Sequence, residues 1–406
     1  MERKENIFYA IEFDGEYGGD KIQRAIETAV KEKGDDEKII VVSSEGPDNG
    51  RWILKNSIKL PSNTTLLLKD CYIFLKDNAK DNLITNQDHK NGNENINIIG
   101  IGNPVLDGNG SNQGRKGRFD RHSYMFGIYF NKVKNISIKN IKIGPTTAYG
   151  ISIEDVENAE ISDIYLNQDG KQPNQDGVNV SGPAKNIVIK NIYGNSGDDS
   201  VAIGALLKVK DEENIWRTFF HEGEGGDIEN VTIQNVRTRV LESGNNIRLL
   251  CGDGRKLRNV RINGVYSLPE SKADSLIVFG NAKRYTKKFP KSEDFTDIYI
   301  SCIHAFKKNK KSLIWIDSPV GNLHFSEISI NWEWKDVFLI EEGNHVENLN
   351  ITNLTVFGKG ENVFKIDGTV ENFIISETTV EGSEHFFSGN GKVKNIFFKG
   401  VLIKNF

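Results

Sequence analysis

The sequence predicts an all-β solenoid, a single-domain parallel β-helix of about ten coils over residues 1–406 behind one N-terminal capping helix. Three observations predict it. First, an internal repeat built on Asn or Asp followed by alternating aliphatic residues recurs to the C-terminus: ENINIIG at 94, KNISIKNI at 134, ENAEISDI at 157, KNIVIKNI at 185, ENVTIQNV at 229 and RNVRINGV at 258. It continues as TDIYISCI at 296, GNLHFSEI at 321, ENLNITNL at 347, ENFIISET at 371 and KNIFFKGV at 394. Second, the Asn-to-Asn steps include 23, 28, 29, 25, 26, 24 and 23 residues, the length of one coil of short strands and sharp turns. Third, helical periodicity is confined to the N-terminus, which excludes bundles and doubly wound α/β folds. Repeated Asn at equivalent turns suits left-handed backbone and predicts side-chain ladders up the stack.

The one helix is expected over 20–34. Ile22, Ala25, Ile26, Ala29 and Val30 recur at helical spacing, Asp20 stands at the start as a cap, and Gly34 ends the pattern. From Ile39 onward the chain reads as apolar strands punctuated by Gly and Asn. Three longer steps mark insertions pushed out of the stack: 103–124 with Arg115, Lys116, Arg118 and Arg121; 205–226 with Trp216, Phe219, Phe220 and His221; and 269–294 with Lys283, Arg284, Tyr285, Lys287 and Lys288. Insertions in solenoids gather on the binding face.

Composition narrows the function. A net charge of −4 on 406 residues argues against a nucleic-acid binder. Cys71, Cys251 and Cys302 are far apart and odd in number, which supplies neither a disulfide framework nor a metal spacing. No apolar run reaches membrane length, so no membrane partner is expected. The opening MERKEN has no hydrophobic signal region, and extracellular, virion-associated and cytoplasmic locations all stay open.

Chemistry concentrates in residues 174–204, NQDGVNVSGPAKNIVIKNIYGNSGDDSVAIG. Asp176 precedes Val178 and Val180 as Asp199 precedes Val201 and Ile203, and the two aspartates are one coil (199 − 176 = 23 residues) apart. Stacked on neighbouring strands they would stand roughly 5 Å from each other. Asp198 alternates away from that column. Asp274, Asp336 and Asn362 occupy the same strand-entry position in other coils, so an acid or amide there also belongs to the solenoid itself. No cofactor is indicated, and the acidic trio is assigned to acid–base work rather than to a metal.

With NQDG at 174, GDDS at 197, DGNG at 107 and Asn-rich coils, the chain resembles the polygalacturonase-like glycoside hydrolases of family 28. The resemblance implies a right-handed helix and a hydrolytic site. Carried over residue by residue, it implies that Asp198 is the general acid protonating the leaving oxygen, and that Asp176 and Asp199 activate the attacking water. Such hydrolysis needs an acid kept protonated on one side of the bond and carboxylates holding water on the other. It further implies substrate-binding roles for Asn174, His221, Asn245, Arg248 and Tyr285. His221 follows Asp199 by 22 residues, but within HEGEGG rather than Gly-His-Gly. Arg248 stands where the family has the Arg of Arg-x-Lys, with Leu250 in place of the Lys. It lies one repeat after Gly-Asp-Asp where the family has two, so either 205–226 forms the missing coil or Arg248 occupies the coil that carries the family's His.

The expected function is metal-free, inverting hydrolysis of an anionic polysaccharide. Two alternatives stay open: a lyase or epimerase on the same fold, and a tailspike-like depolymerase or binding helix, for which a trimer would be expected.

Overall fold

The computed structural model describes residues 6–117, 120, 125–208, 224–280, 282–305 and 311–404, and the backbone alone at 282 and 283. Arg118, Arg121, Trp216, Phe219, Phe220 and His221, and the Lys283 side chain, lie outside the described residues. Parallel strands dominate, as expected of a right-handed parallel β-helix. They fall into two compact units: Met1–Val180 with Ala184–Gly197 and Phe220–Gly223, and Ser181–Pro183 with Asp198–Phe219 and Glu224–Phe406.

In the first unit the strands Lys38–Val42, Thr64–Lys69, Asn93–Ile101, Ile128–Ile143 and Ile151–Asn167 stack in parallel register. Their alternation sends Ile40, Leu66, Ile98, Ile138 and Ile161 into one inward column, every member fully buried. Burying such a side chain stabilises by about 1.5–3 kcal/mol, and the column repeats that gain coil after coil. The long strands turn corners at single left-handed residues. Ile128–Ile143 bends at Lys132, Asn135 and Asn140, with φ of 57°, 57° and 54°.

The expected Asn ladder runs through these corners. Asn95 donates to Asn63 at 2.7 Å, Asn135 to Asn95 at 2.8 Å, Asn158 to Asn135 at 3.0 Å and Asn186 to Asn158 at 2.9 Å. Asn suits the place because its short amide bonds locally and tolerates left-handed φ.

The helix spans Gly18–Lys33, beginning two residues earlier than the sequence predicts. Asp20 is not the N-cap. Its Oδ2 accepts from Tyr17 N at 2.9 Å from one turn inside, while Asp48 accepts from Gly18 N at 2.9 Å. Ile22, Ala25, Ile26 and Ala29 form the buried face, whereas Val30 is 37% exposed and lies off it. No described helix is long and apolar enough to cross a membrane.

The second unit repeats the logic. Ile233, Ile262, Ile300, Phe325, Ile351 and Ile375 form a buried inward column, and Asn322, Asn348, Asn372 and Asn395 continue as an amide ladder at 2.7–2.9 Å. A second stack of parallel strands in this unit comprises Val201–Ala205, Asn245–Cys251, Ser275–Gly280, Ser312–Asp317 and Trp334–Ile340.

Candidate active site

The strand-entry aspartates divide between the units, Asp176 in the first and Asp198 and Asp199 in the second. Asp176 is 95% buried, and its main-chain oxygen receives Gly150 N at 2.9 Å and Gln168 Nε2 at 3.3 Å. Its neighbour Gln175 is fully buried and donates to Thr146 O at 2.7 Å and to Asp169 at 3.0 Å. The Gln175 carbonyl receives Gly197 N at 2.8 Å, and a Cβ on Gly197 would stand 2.7 Å from that of Gln175. The glycine of GDDS is therefore set by close approach to the NQDG turn.

Within the second unit, Asp199 is the centre of a buried network. Its Oδ1 accepts from both the backbone N and the side-chain Nδ2 of Asn245, each at 2.8 Å. Its Oδ2 accepts from Arg248 Nε in a buried ion pair. Asn245 is committed on its other side too, its Oδ1 accepting from Ser275 N at 3.1 Å and its carbonyl from Ser200 N at 2.9 Å. The carboxamide expected to bind substrate is thus occupied within the protein, and it holds Asp199.

Asp198, by contrast, is partly exposed. Gly244 makes its room: at φ 136°, a Cβ there would come within 2.5 Å of Asp198 Oδ1.

Arg248 stands where alternation predicts, opposite Ala202 on the adjacent strand. Val201–Ala205 pairs directly with Asn245–Cys251, so no extra coil intervenes in this sheet and Arg248 occupies the coil next to Asp199. Burial disfavours the charged guanidinium, and the Asp199 carboxylate, Tyr285 and Asp198 more than offset this, raising its proton affinity. Its Nη1 is buried with no hydrogen-bond partner among the described residues. Tyr285 places its ring centroid 6.0 Å from the guanidinium carbon, and burial raises its phenol pKa. Leu250, opposite Gly204, shares the Arg248 face and is 91% buried. Continuing along that outward column come Val278, Trp315 and Leu339, a buried apolar cluster. Arg248 is the one charge in the column from Ala202 to Leu339.

Arg115 turns inward: its Nη1 donates to the carbonyls of Thr147 and Pro173, and its Nη2 to Asn174 Oδ1 at 3.1 Å. Asn174 and Arg115 therefore brace each other. Lys287 and Lys288 are exposed, their backbone amides bound to Asp253 Oδ1 at 2.8 and 2.9 Å. Among the other strand-entry residues, Asn362 donates to Asp336 at 2.6 Å, a buried ladder pair of structural character. No group of three His, Cys, Asp or Glu side chains among the described residues has the arrangement of a metal site.

Sequence reasoning missed Gly244, Gln175 and the bracing part of Asn245. A glycine among Glu242, Ser243 and Asn245 carries no periodic mark.

Residues 55–225 match the family model of glycosyl hydrolases family 28. A probable polygalacturonase of Arabidopsis thaliana is 25% identical over 172 residues, 40% of this chain, and the match spans only 38% of that protein's own length. An exopolygalacturonase from Thermotoga maritima superposes with a TM-score of 0.58 at 16% identity, covering 98% of this chain and 92% of that one. The mannuronan C-5 epimerase module of Azotobacter vinelandii gives 0.57 at 14% identity, covering 98% and 99%. The two solved structures share the fold; the sequence matches carry the kinship. Residues 55–225 carry the pattern of glycosyl hydrolases family 28, and part of the chain is similar in sequence to a probable polygalacturonase.

Proposed function

We propose that this protein is a glycoside hydrolase acting on a pectin-type, anionic polysaccharide, with Asp198 as general acid and Asp176 and Asp199 as the carboxylates that activate water. The observation that carries the reading is the contrast between the two adjacent aspartates. Asp199 accepts three hydrogen bonds, one of them charge-assisted from Arg248, so its two oxygens are held in place as acceptors. Asp198 is partly exposed, next to space left by Gly244, where a leaving oxygen could reach its proton. Adjacent carboxylates in unlike surroundings are how acid and base roles are separated.

The stacking of Asp176 with Asp199 rests on the 23-residue interval and the family resemblance. An inverting mechanism needs roughly 6.5–9.5 Å between acid and base to admit water, and the alternation of Asp198 away from Asp199 is compatible with that.

The lyase or epimerase alternative requires a Lys or Arg to take a proton. Arg248 fits this poorly, because its ion pair with Asp199 strengthens its hold on its proton. Reducing-sugar release across a panel of acidic and neutral glycans tests the proposal. Release without an unsaturated, ultraviolet-absorbing product supports hydrolysis; an absorbing product overturns it in favour of a lyase, and saturable binding without release makes the protein a binding module.

A further inference from the structure

The basic insertion at 103–124 reaches the turn that carries Asp176 through the side chain of Arg115. The base of the insertion is anchored first. Gly110 N donates to Pro145 O at 3.2 Å. Gln113 is fully buried, its Nε2 donating to Lys76 O and its Oε1 accepting from Lys80 N, each at 2.9 Å. Arg115, two residues on, is half-buried and projects from this fixed segment. Its Nη1 carries two protons and donates to two carbonyls, Thr147 in the turn before Ile151–Asn167 and Pro173 in the turn after it. Its Nη2 donates to Asn174 Oδ1 at 3.1 Å.

The Thr147 and Pro173 oxygens thus converge on one nitrogen. Without the guanidinium both lose that donor while their like partial charges stay together, so the approach of the two turns depends on Arg115. The second turn continues directly into the site: the Gln175 carbonyl accepts from Gly197 N at 2.8 Å and the Asp176 carbonyl from Gly150 N at 2.9 Å. A guanidinium offers donors only, so the Asn174 atom facing it is the oxygen. The N–H donors of that carboxamide are therefore directed away from Arg115, two residues from Asp176 in the same turn.

We propose that Arg115 is a positioning residue: it locks the turn from Pro173 to Asp176, and with it the Asp176 carboxylate, and it holds the Asn174 carboxamide as a hydrogen-bond donor to an oxygen of the bound acidic sugar. The catalytic consequence rests on the hydrolase reading above, and the bracing rests on the hydrogen bonds alone.

Arg115→Lys and Arg115→Met, compared with the parent on the best acidic glycan, test it. Both should lower kcat by up to about a hundredfold, the effect of misplacing a reacting group by about 1 Å, with KM within about twofold and its salt dependence unchanged. Lys should fail with Met because an ammonium is a point charge and does not reproduce the planar fork. A substrate-binding Arg115 would instead raise KM and flatten its salt dependence in Met and keep both in Lys. That pattern overturns the positioning role, as does parental kcat in both variants. Amide exchange reads the brace without activity. Gly150 and Gly197 should exchange at least roughly tenfold faster in Arg115→Met while Ile138 keeps its parental rate, and parental rates at the two glycines overturn the brace. Asn174→Asp keeps an acceptor for Arg115 and tolerates the left-handed φ of 61°, but has no N–H donors. It should keep parental exchange and lose about tenfold in kcat/KM, and parental kcat/KM there overturns the donor role. A parent that cleaves no glycan overturns the hydrolase reading, and the exchange rates then decide the brace alone.

Discussion

The Asp199 carboxylate joins two neighbouring coils: one oxygen takes both donors of Asn245 and the other takes Arg248 Nε, and all three residues are more than nine-tenths buried. Breaking such a pair by removing one partner leaves a charge without its counterion and costs about 3–5 kcal/mol. Arg248→Met and Asp199→Asn should each lower the denaturation midpoint by an amount in that range. The double variant should be less destabilised than the sum of the two, which chemical denaturation of all four proteins measures. Additive effects would show the two residues to be energetically independent.

Asp198→Asn should leave the denaturation midpoint within about 0.5 kcal/mol of the parent, since the side chain is partly exposed and the volume is kept. Turnover should fall by about two to four orders of magnitude through loss of the positioned acid. Retention of more than half the rate would remove Asp198 from the mechanism.

Hydrolysis should invert the anomeric centre and persist in chelator. Proton NMR of the first-formed sugar reads the configuration directly. A retained anomer, or activity abolished by EDTA and restored by calcium, would call for another mechanism.

Arg248 is the one charge on its outward column between Ala202 and Leu339, and Leu250 supplies no ammonium beside it. A bidentate guanidinium can still grip a carboxylate, and among the described residues nothing partners the buried Nη1 of Arg248. Plain polygalacturonate should accordingly be a poor substrate relative to a mixed, branched or substituted acidic polymer. The exposed Lys287 and Lys288 should make KM rise with salt. Equal rates on both polymers, or a salt-independent KM on the charged one, would contradict this.

The coils were legible because their cause is periodic. Alternating apolar residues and an Asn recurring at corner positions leave a mark in the sequence, and Asn95, Asn135 and Asn158 take the left-handed φ that such spacing implies. Arg248 was legible for the same reason, alternating with the inward Ile247 and Leu249. What escaped depends on partners distant in sequence and specific to one place. Asn245 reaches back 46 residues to Asp199, and Arg115 reaches 59 forward to Asn174. Both read as spare polar groups until their partners are known. The start of the helix was misjudged because Asp20 can serve equally from the cap or from one turn inside.

Asn158→Ala should cost about 1–2 kcal/mol, removing amide hydrogen bonds to Asn135 and from Asn186 and placing alanine at φ 59°. Asn158→Gly should cost less, because the backbone term disappears. Equal losses would mean that the ladder bonds alone matter.

That ladder joins residues 23 apart between Asn135 and Asn158, 28 apart between Asn158 and Asn186, and 40 apart between Asn95 and Asn135, with amide distances of 2.8–3.0 Å throughout. It therefore acts as a phase lock and is indifferent to contour length. A circuit of the chain can lengthen by more than half its size, provided it returns to the same corner with an amide in the same pose. Loops grown elsewhere on a coil leave the stacking of its neighbours untouched. The scaffold can thus acquire new recognition surfaces by lengthening one circuit at a time while keeping its stem.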